Sequence, residues 1–326
     1  MSFQPPQTEG LNRKYLQLQD LRRLQTLSFA CRRTVEGQYS GQHATRQRGQ
    51  SVEFRDYRQY MPGDELGNVD WKVYGRSDKL FIKIFEHQAD LTVHLLVDAS
   101  ASMSFRGMVT DRQMPSATRA GRGATAHQLP LSKFDYGCFL AAGIAFLIVK
   151  QKDRVSFGVA RDGLRGFLPP GSSAIHLTGI LKSMEKIAPK GDARLADSVR
   201  TLAGKSRKRD LLIIFSDLLD DAENVLNSLS LWTHRGGEVI LFHIMHADEL
   251  KLPSIENGVF VDSETSDRVR LDVNDIRQDY DQRMRAFLDG WSNACRGNGI
   301  DYMLASTRDP YSEVLFRYLT HRAAIR

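Results

Sequence analysis

Cysteine is scarce in this sequence, and the few cysteines present lie far apart. Cys31, Cys138 and Cys295 are the only three among 326 residues. Zinc sites and redox dithiols use closely spaced cysteine pairs, so this spacing excludes both. The N-terminal residues MSFQPPQTEG have neither a basic start nor an apolar stretch, which argues against a secretory signal. We therefore expect a protein of the reducing cytoplasm.

Long hydrophobic runs are also missing. The longest apolar segment, CFLAAGIAFLIV at 138–149, is about half as long as a membrane-spanning helix must be. The sequence therefore predicts no membrane span. The composition is 41% hydrophobic and 26% charged, which is ordinary for a globular protein, and the length allows two domains.

Acidic residues are few in two regions, and the positive charge concentrates there. The net charge is +6. Residues 1–58 contain ten Lys and Arg against five Asp and Glu, and residues 104–131 contain four Arg against one Asp. Nucleic-acid binders more often place Lys and Arg along one element with aromatic residues between them. We therefore expect no nucleic-acid partner, and interpret the basic excess as solvated surface or as a contact for an acidic protein partner.

Apolar strands alternate with helical segments from residue 91 onward. The segments TVHLLVDAS, DLLIIFSD and EVILFHIMH have consecutive apolar residues, which is typical of strands covered on both faces. This alternation predicts an α/β fold with a doubly wound, mainly parallel sheet over residues 91–326. Residues 104–131, rich in Arg, Gly, Ser and Thr, are predicted to be a mobile insertion in that domain.

Residues 1–90 show different patterns. A helix is predicted over residues 11–33, because apolar residues recur there every three or four positions. The segments SVEFRDYRQY and KLFIKIFEH alternate polar and apolar residues as strands do. We therefore predict a first section, residues 1–90, made of a helix and short β-strands.

Polar side chains follow two of the predicted buried strands. In LLVDASASMSF the apolar run stops at Asp98, and Ser100 and Ser102 follow at spacings that put all three side chains on one side of an extended chain. DLLIIFSD ends at Asp217. Because ligands of doubly wound sheets bind at the carboxyl ends of the strands, these four residues are predicted to meet there. Their oxygen atoms suit Mg²⁺.

Simpler interpretations exist for the same residues. Asp98, Ser100 and Ser102 could form a polar turn that closes a buried strand. Asp217 could be an acid at a helix N-terminus, where the helix dipole favours negative charge. Asp220 and Asp221 could fill that role equally well.

Longer motifs connect the chain to known families. VDASASM followed by FSD resembles the metal-ion-dependent adhesion site of von Willebrand factor A domains. VEGQYSGQ, then SVEFRDYRQYMPGDELGNVDWKVYGRSDKLFIKIFE, then LTVHLLVDASASM are similar, in order and spacing, to the bacterial family called domain of unknown function 58. This resemblance implies a von Willebrand factor A-like domain that binds proteins and has no enzymatic activity. It also implies an accessory role beside a MoxR-type AAA+ ATPase in the assembly or remodelling of protein complexes.

The resemblance also implies a metal role for Asp98, Ser100, Ser102 and Asp217. In such sites a further hydroxyl usually comes from a threonine in a glycine-rich loop. The corresponding stretch here is PKGDARLADSV, and Ala193 stands where the threonine would be. A methyl group cannot bind a cation, so Asp192 or a water would have to replace it. An acidic side chain of the partner would then complete the coordination of the metal.

An enzymatic alternative stays open at this point. Asp98 and Asp217 could hold a cation that activates water, which would make the protein a metal-dependent phosphoester hydrolase. The sequence offers no obvious general base or phosphate clamp beside them. The protein-interaction module is therefore the favoured hypothesis.

Overall fold

The computed structural model describes residues 13–17, 27–29, 52–61, 69–77, 79–87, 92–107, 131–261 and 267–324. The chain forms two compact units. One comprises Arg33–Asp90, and the other comprises Met1–Arg32 together with Leu91–Arg326. The sequence-based division after residue 90 coincides with one of these boundaries, whereas the first 32 residues group with the larger unit.

The smaller unit contains a pair of antiparallel strands and one short helix. Its elements are β1 (Val52–Gln59), α1 (Trp71–Ser77) and β2 (Phe81–His87). The helix begins at Asp70, whose Oδ1 accepts hydrogen bonds from the backbone N–H groups of Lys72 (2.9 Å) and Val73 (3.3 Å). This arrangement satisfies two of the backbone donors that a helix start leaves open. The two strands predicted from alternating residues are therefore present.

The larger unit is built on one six-stranded sheet. Its strands are β3 (Thr92–Asp98), β4 (Arg154–Ala160), β5 (Leu164–Gly171), β6 (Leu211–Ser216), β7 (Glu238–Met245) and β10 (Asp301–Ser306). Their order across the sheet is β10-β7-β6-β3-β4-β5, and only β5 runs antiparallel to its neighbour. The prediction of an α/β fold with a doubly wound, mainly parallel sheet is confirmed.

Helices cover both faces of this sheet. One face packs against α2 (Lys133–Lys150), α3 (Ala174–Glu185) and α8 (Tyr311–Ala324). The opposite face packs against α4 (Leu195–Ala203), α5 (Ala222–His234) and α7 (Val273–Gly297). Successive strand residues alternate between the two cores, so Leu95 belongs to the first and Leu96 to the second. This double coverage explains why the strands read as continuous apolar runs.

The remaining elements of the larger unit are short. They are the helix α6 (Ala247–Leu250), the antiparallel strands β8 (Asn257–Val261) and β9 (Arg268–Asp272), and a single 3₁₀ turn (Ser102–Ser104). Among the residues that the structure describes, no helix is both long and apolar enough to cross a membrane.

Helix α2 is almost entirely buried, and its start is fixed by a capping box. The Ser132 side chain accepts a hydrogen bond from the Asp135 N–H at 3.0 Å, while Asp135 Oδ2 accepts from the Ser132 N–H at 3.5 Å. This reciprocal pair satisfies donors at the helix start. It also fixes the position of Lys133, the first residue of the helix.

The predicted helix over residues 11–33 is wrong where the structure describes that segment. Residues 13–17 form a turn in which Arg13 and Leu16 pair through their backbones, and residues 27–29 are irregular. Tyr15 is buried and its hydroxyl donates to Asp135 Oδ1 at 2.9 Å. Tertiary contacts with α2 thus outweigh the local helical periodicity. The rest of that predicted helix, and residues 108–130 of the predicted insertion, lie outside the described residues.

Candidate functional site

The ends of β3 and β6 bring two of the predicted stretches together. The strands are parallel neighbours, with Val97 aligned to Phe215. The next residues, Asp98 and Ser216, therefore stand side by side, and Ser216 Oγ donates a hydrogen bond to Asp98 Oδ2 at 2.5 Å. Asp217 follows directly, at the same edge of the sheet.

Ser100 and Ser102 lie in the turn that leaves β3. The Ser100 N–H donates to Asp98 Oδ1 at 2.8 Å, and the hydroxyl oxygens of Ser100 and Ser102 are 3.1 Å apart. All four predicted residues are buried, with exposed fractions of 2% for Asp98, 4% for Ser100, 9% for Ser102 and 1% for Asp217. Protein neighbours rather than bulk water therefore set their electrostatics.

Asp217 does not serve as a helix cap. Asp221 caps α5, because its side chain accepts hydrogen bonds from the N–H groups of Glu223 and Asn224. Asp220 Oδ2 accepts from the Leu195 N–H at the start of α4, at 2.8 Å. Asp221 thus caps α5 and Asp220 accepts from the first backbone donor of α4, whereas Asp217 does neither, and the simpler interpretation of Asp217 is wrong.

The partner of Asp217 is a buried lysine that sequence reasoning missed. Lys133 has no exposed surface, and its Nζ lies 2.8 Å from Asp217 Oδ2 and 2.6 Å from Glu249 Oε1. Asp217 Oδ2 has no well-aligned hydrogen bond, so its contact with the ammonium is an ion pair. Burial acts to lower the pKa of Lys133, but the carboxylates of Asp217 and Glu249 outweigh it and raise that pKa. The lysine is therefore charged.

The pKa of the Asp98 carboxyl is also shifted by burial and by neighbouring charge. Burial and the neighbouring Asp217 carboxylate raise the pKa of Asp98 to about 7, against the opposing effect of hydrogen bonds from Ser216 and Ser100. Repulsion between two neighbouring carboxylates favours the protonated form of one of them. Near neutral pH the cluster therefore carries less than its full formal negative charge.

Three loops are joined by backbone hydrogen bonds at this edge. The Ala99 N–H donates to the carbonyl of Ala160, the last residue of β4, at 2.9 Å. The Lys190 N–H donates to the Ala99 carbonyl at 2.9 Å, and the Ala101 N–H donates to the Gly191 carbonyl at 2.8 Å. The glycine-rich loop of the sequence analysis thus lies directly beside the Asp98 turn.

The two residues considered as substitutes for the usual threonine differ in exposure. Ala193 is buried and offers only a methyl group, whereas Asp192 is exposed. The Asp192 carbonyl accepts a hydrogen bond from the Asp162 N–H at 2.7 Å. Asp192 therefore helps join the loops through its backbone.

The surface around the buried cluster carries exposed charges of both signs, because Asp192 and Asp221 are exposed beside the basic residues, and it is partly apolar. Arg106, Lys190 and Arg194 are exposed on the surrounding loops. Leu219, two residues after Asp217, is 54% exposed. We call the residues 99–106, 190–194 and 217–221 the docking edge.

The donor chemistry of the four predicted residues fits Mg²⁺ only in part. Carboxylate and hydroxyl oxygens are suitable ligands. However, one of the two carboxylates already faces the ammonium of Lys133. Within the described ranges, no three His, Cys, Asp or Glu side chains are grouped so that they could hold a metal ion. Because the Lys133 ammonium occupies one oxygen of Asp217, the four residues do not offer all their oxygens to a divalent cation, and the magnesium ion stays a prediction.

Sequence reasoning found the acids and hydroxyls but missed Ser216, Lys133 and Glu249 as members of the cluster. One signal was present. A lysine in the first turn of a helix opposes the positive end of the helix dipole, so it requires acidic partners from elsewhere. Glu249 lies in the four-residue helix α6, where no apolar periodicity marks its position.

Comparison with known proteins gives the family. The family model described as "Protein of unknown function DUF58" matches residues 56–121 and 122–287. The chain belongs to the DUF58 family. The family predicted from the long motifs is therefore confirmed. The description of DUF58 assigns no activity to its members.

Relatives of this DUF58 chain include two mycobacterial proteins. They are the uncharacterized protein Rv1480 of Mycobacterium tuberculosis and the uncharacterized protein Mb1516 of Mycobacterium bovis. Each is 22% identical over 303 residues, which cover 92% of this chain and 88% of the relative.

Solved structures of other proteins that are similar to this chain include the following two. The conserved hypothetical protein BatB from Bacteroides thetaiotaomicron has a TM-score of 0.45 at 12% identity, covering 72% of this chain and 100% of BatB. The SpRpn10 VWA domain has a TM-score of 0.39 at 12% identity, covering 70% and 94% of the two chains.

Proposed function

We propose that this DUF58 chain is a non-enzymatic protein-interaction module that binds its partner through the docking edge. One observation carries the proposal: a buried cluster of Asp98, Asp217 and Lys133 lies at the carboxyl ends of the central strands, next to loops that carry exposed charged side chains. Ligands of doubly wound sheets bind at this position. Hydrogen bonds between the loops fix the surface before binding, which reduces the ordering cost of association.

The chemistry of the rim indicates the kind of partner. Lys190 and Arg194 are exposed cations of the docking edge, Asp192 and Asp221 are its exposed acids, and Leu219 is its exposed apolar side chain. An apolar anchor among charges of both signs suits a protein surface with a complementary charge pattern, in which acidic residues would face Lys190 and Arg194, since complementary charges speed encounter and set register. The family resemblance makes a MoxR-type AAA+ ATPase, or an acidic client protein in the cytoplasm, the partner that we propose.

The hydrolase alternative gains no comparable support. The Lys133 ammonium holds Asp217, one of the two carboxylates that the hydrolase mechanism needs for its cation. Nothing in the described parts of the chain favours phosphoester hydrolysis over binding. We therefore propose no enzymatic role.

The proposal is tested by measuring the affinity of the purified chain for a MoxR-type ATPase from the same genome by biolayer interferometry. Arg194→Glu reverses a rim charge and Leu219→Ser removes the apolar anchor. Each variant is expected to weaken binding at least about tenfold, which corresponds to about 1.4 kcal/mol. Both side chains are exposed, so the fold should be unaffected.

A matched control lies at the other end of the sheet. Ile175 is 85% exposed at the start of α3, and the ring of its neighbour His176 lies 2.8 Å from the Val155 carbonyl near the amino end of β4. Ile175→Ser makes the same kind of change as Leu219→Ser and should leave the affinity unchanged. Equal loss in both variants, or no loss in the two docking-edge variants, would contradict the proposed docking edge.

A further inference from the structure

We propose that the Lys133 ammonium is the resident cation of the docking edge, and that it takes the place beside Asp217 that the sequence predicts for Mg²⁺. The cluster is then assembled by a positive charge from the chain itself. This inference concerns how the edge is built, and it holds whether or not the edge binds a MoxR-type ATPase.

The contacts of the ammonium are those of a fixed ion. Its nitrogen lies between carboxylates from two separate elements, 2.8 Å from Asp217 Oδ2 and 2.6 Å from Glu249 Oε1. It also lies 5.9 Å from the centre of the Phe105 ring, a distance at which the ring face attracts a cation. A lysine with no exposed surface is found in proteins when it is paired in this way.

Backbone and side-chain contacts hold the lysine in position. Its N–H donates to the Phe105 carbonyl at 3.0 Å, and the capping box of Ser132 and Asp135 fixes the first turn of α2 around it. The ammonium therefore cannot leave the cluster without disturbing the start of a buried helix.

Glu249 is held equally firmly. Its Oε2 accepts a hydrogen bond from the His246 N–H at 2.8 Å, and its carbonyl accepts from the Tyr280 hydroxyl at 2.7 Å. Glu249 is thus fixed by elements other than α2.

A divalent cation at Asp217 would compete with this arrangement. Mg²⁺ binds carboxylate oxygens at about 2.1 Å, and the ammonium already lies 2.8 Å from the same oxygen. Two positive charges at such separation repel strongly in a buried site. Mg²⁺ could bind Asp217 Oδ2 only by displacing Lys133, and at Oδ1 it would still share one buried carboxylate with the ammonium. The docking edge is therefore complete without a metal.

The test is a titration with Mn²⁺ alone, followed by the electron paramagnetic resonance signal of the free ion, on the full chain. The wild-type protein is expected to bind Mn²⁺ more weakly than about 1 mM, the weak end of protein sites for divalent cations. Lys133→Met keeps a side chain of similar shape without the charge, and should bind Mn²⁺ at least about tenfold more tightly. Adding Asp98→Asn to this variant should remove the gain.

A second variant answers the possibility that Lys133→Met does not fold. Lys133→Met with Glu249→Gln removes one positive and one negative charge together, so the cluster keeps its net charge and Asp217 is still freed. This double variant should show the same gain in Mn²⁺ binding.

Two results would overturn the inference. One is tight Mn²⁺ binding by the wild-type chain that disappears in Asp217→Asn, and the other is equal binding by the wild type and by whichever Lys133 variant folds. Because the titration contains no partner protein, its outcome is separate from the test of the docking edge. A loss of ATPase binding in Leu219→Ser would stand even if Lys133 proved irrelevant to metal binding.

Discussion

The central sheet has a buried polar cluster at each end, and the two clusters contain different chemistry. Near the amino end, His94 lies between two partners: its Nδ1 is 2.7 Å from Ser156 Oγ and its Nε2 is 2.9 Å from Asp210 Oδ2. At the carboxyl end, the ammonium of Lys133 lies against Asp217. Both clusters are buried, so burial by itself does not separate a structural site from a functional one.

The amino-end cluster has the residue types of a hydrolytic triad but not the setting. Ser156 and His94 are covered by the sheet and by α5, and the Trp232 ring packs edge-on against His94 at 5.5 Å between centroids. The Trp232 indole also donates to the Asp210 carbonyl at 3.0 Å. A nucleophile needs a position where a reacting atom can sit next to it, and this serine has none. The hydrogen bonds of this cluster therefore stabilise the packing of neighbouring strands.

The carboxyl-end cluster differs in its surroundings. Its loops carry exposed basic residues and the exposed Leu219, whereas Trp232 covers the opposite cluster. The comparison indicates that access and the charge of the rim, more than the identity of the buried residues, mark the end of the sheet that binds other molecules.

The largest expected effect is the loss of stability when the carboxyl-end cluster loses the positive charge of Lys133. Lys133→Met leaves the Asp217 carboxylate buried without its cation, and should lower the free energy of unfolding by about 3–5 kcal/mol. Adding Asp217→Asn removes the unpaired charge and should restore most of that loss. Urea denaturation measures both. A double variant no more stable than Lys133→Met would show that the ion pair is not the cause.

A smaller effect is expected at the amino end. Asp210→Ala removes the acceptor of His94 Nε2 and of the Arg207 N–H, which are buried or partly buried donors. The free energy of unfolding should fall by about 1–3 kcal/mol, the cost of a buried polar group that loses its partner. The affinity for the ATPase, measured on the folded protein, should stay unchanged. A loss of affinity in folded Asp210→Ala would place part of the binding surface at the amino end of the sheet and would contradict this prediction.

The smallest effect uses two residues with left-handed backbone conformations, one at each end. Arg194 has φ 45° at the docking edge, and Lys152 has φ 63° after α2, near the amino end of β4. Glycine adopts this conformation without the steric cost that other residues bear, so Arg194→Gly and Lys152→Gly should each raise the free energy of unfolding by up to about 1 kcal/mol. Thermal unfolding measures this gain.

The same two variants sharpen the functional comparison. Because Arg194→Gly also deletes a rim charge, it should weaken binding to the ATPase, whereas Lys152→Gly should not. Equal affinities for the two variants would remove Arg194 from the docking edge while leaving the stability prediction intact.

Much of this organisation follows from local patterns in the sequence. The apolar runs at β3, β6 and β7 identify strands buried on both faces, and the rule that ligands lie at strand ends places Asp98 and Asp217 together. These inferences succeed because each depends on residues within one element and on a general rule of topology.

The missed parts depend on contacts that no local pattern encodes. Lys133 follows a capping serine and begins an apolar helix, so its place in the first turn indicates a need for acidic partners but does not identify them. Its burial results from Asp217 and Glu249, which arrive from other elements. The helix predicted over residues 11–33 fails at residues 13–17 for the same reason, because Tyr15 is held by Asp135 rather than by its own periodicity.

Residues that meet at this edge are far apart in the sequence, and this separation affects the order in which the protein folds. Asp98 and Ser216, joined by one short hydrogen bond, are separated by 118 positions. Closing so large a loop is slow relative to the formation of individual helices. The chain loses conformational entropy when the loop closes, before the non-local strand contacts stabilise it. The surface at the strand ends thus forms only after β3 and β6, which are distant in the sequence, have paired. A partner that recognises this surface would bind finished molecules and ignore nascent or half-folded ones.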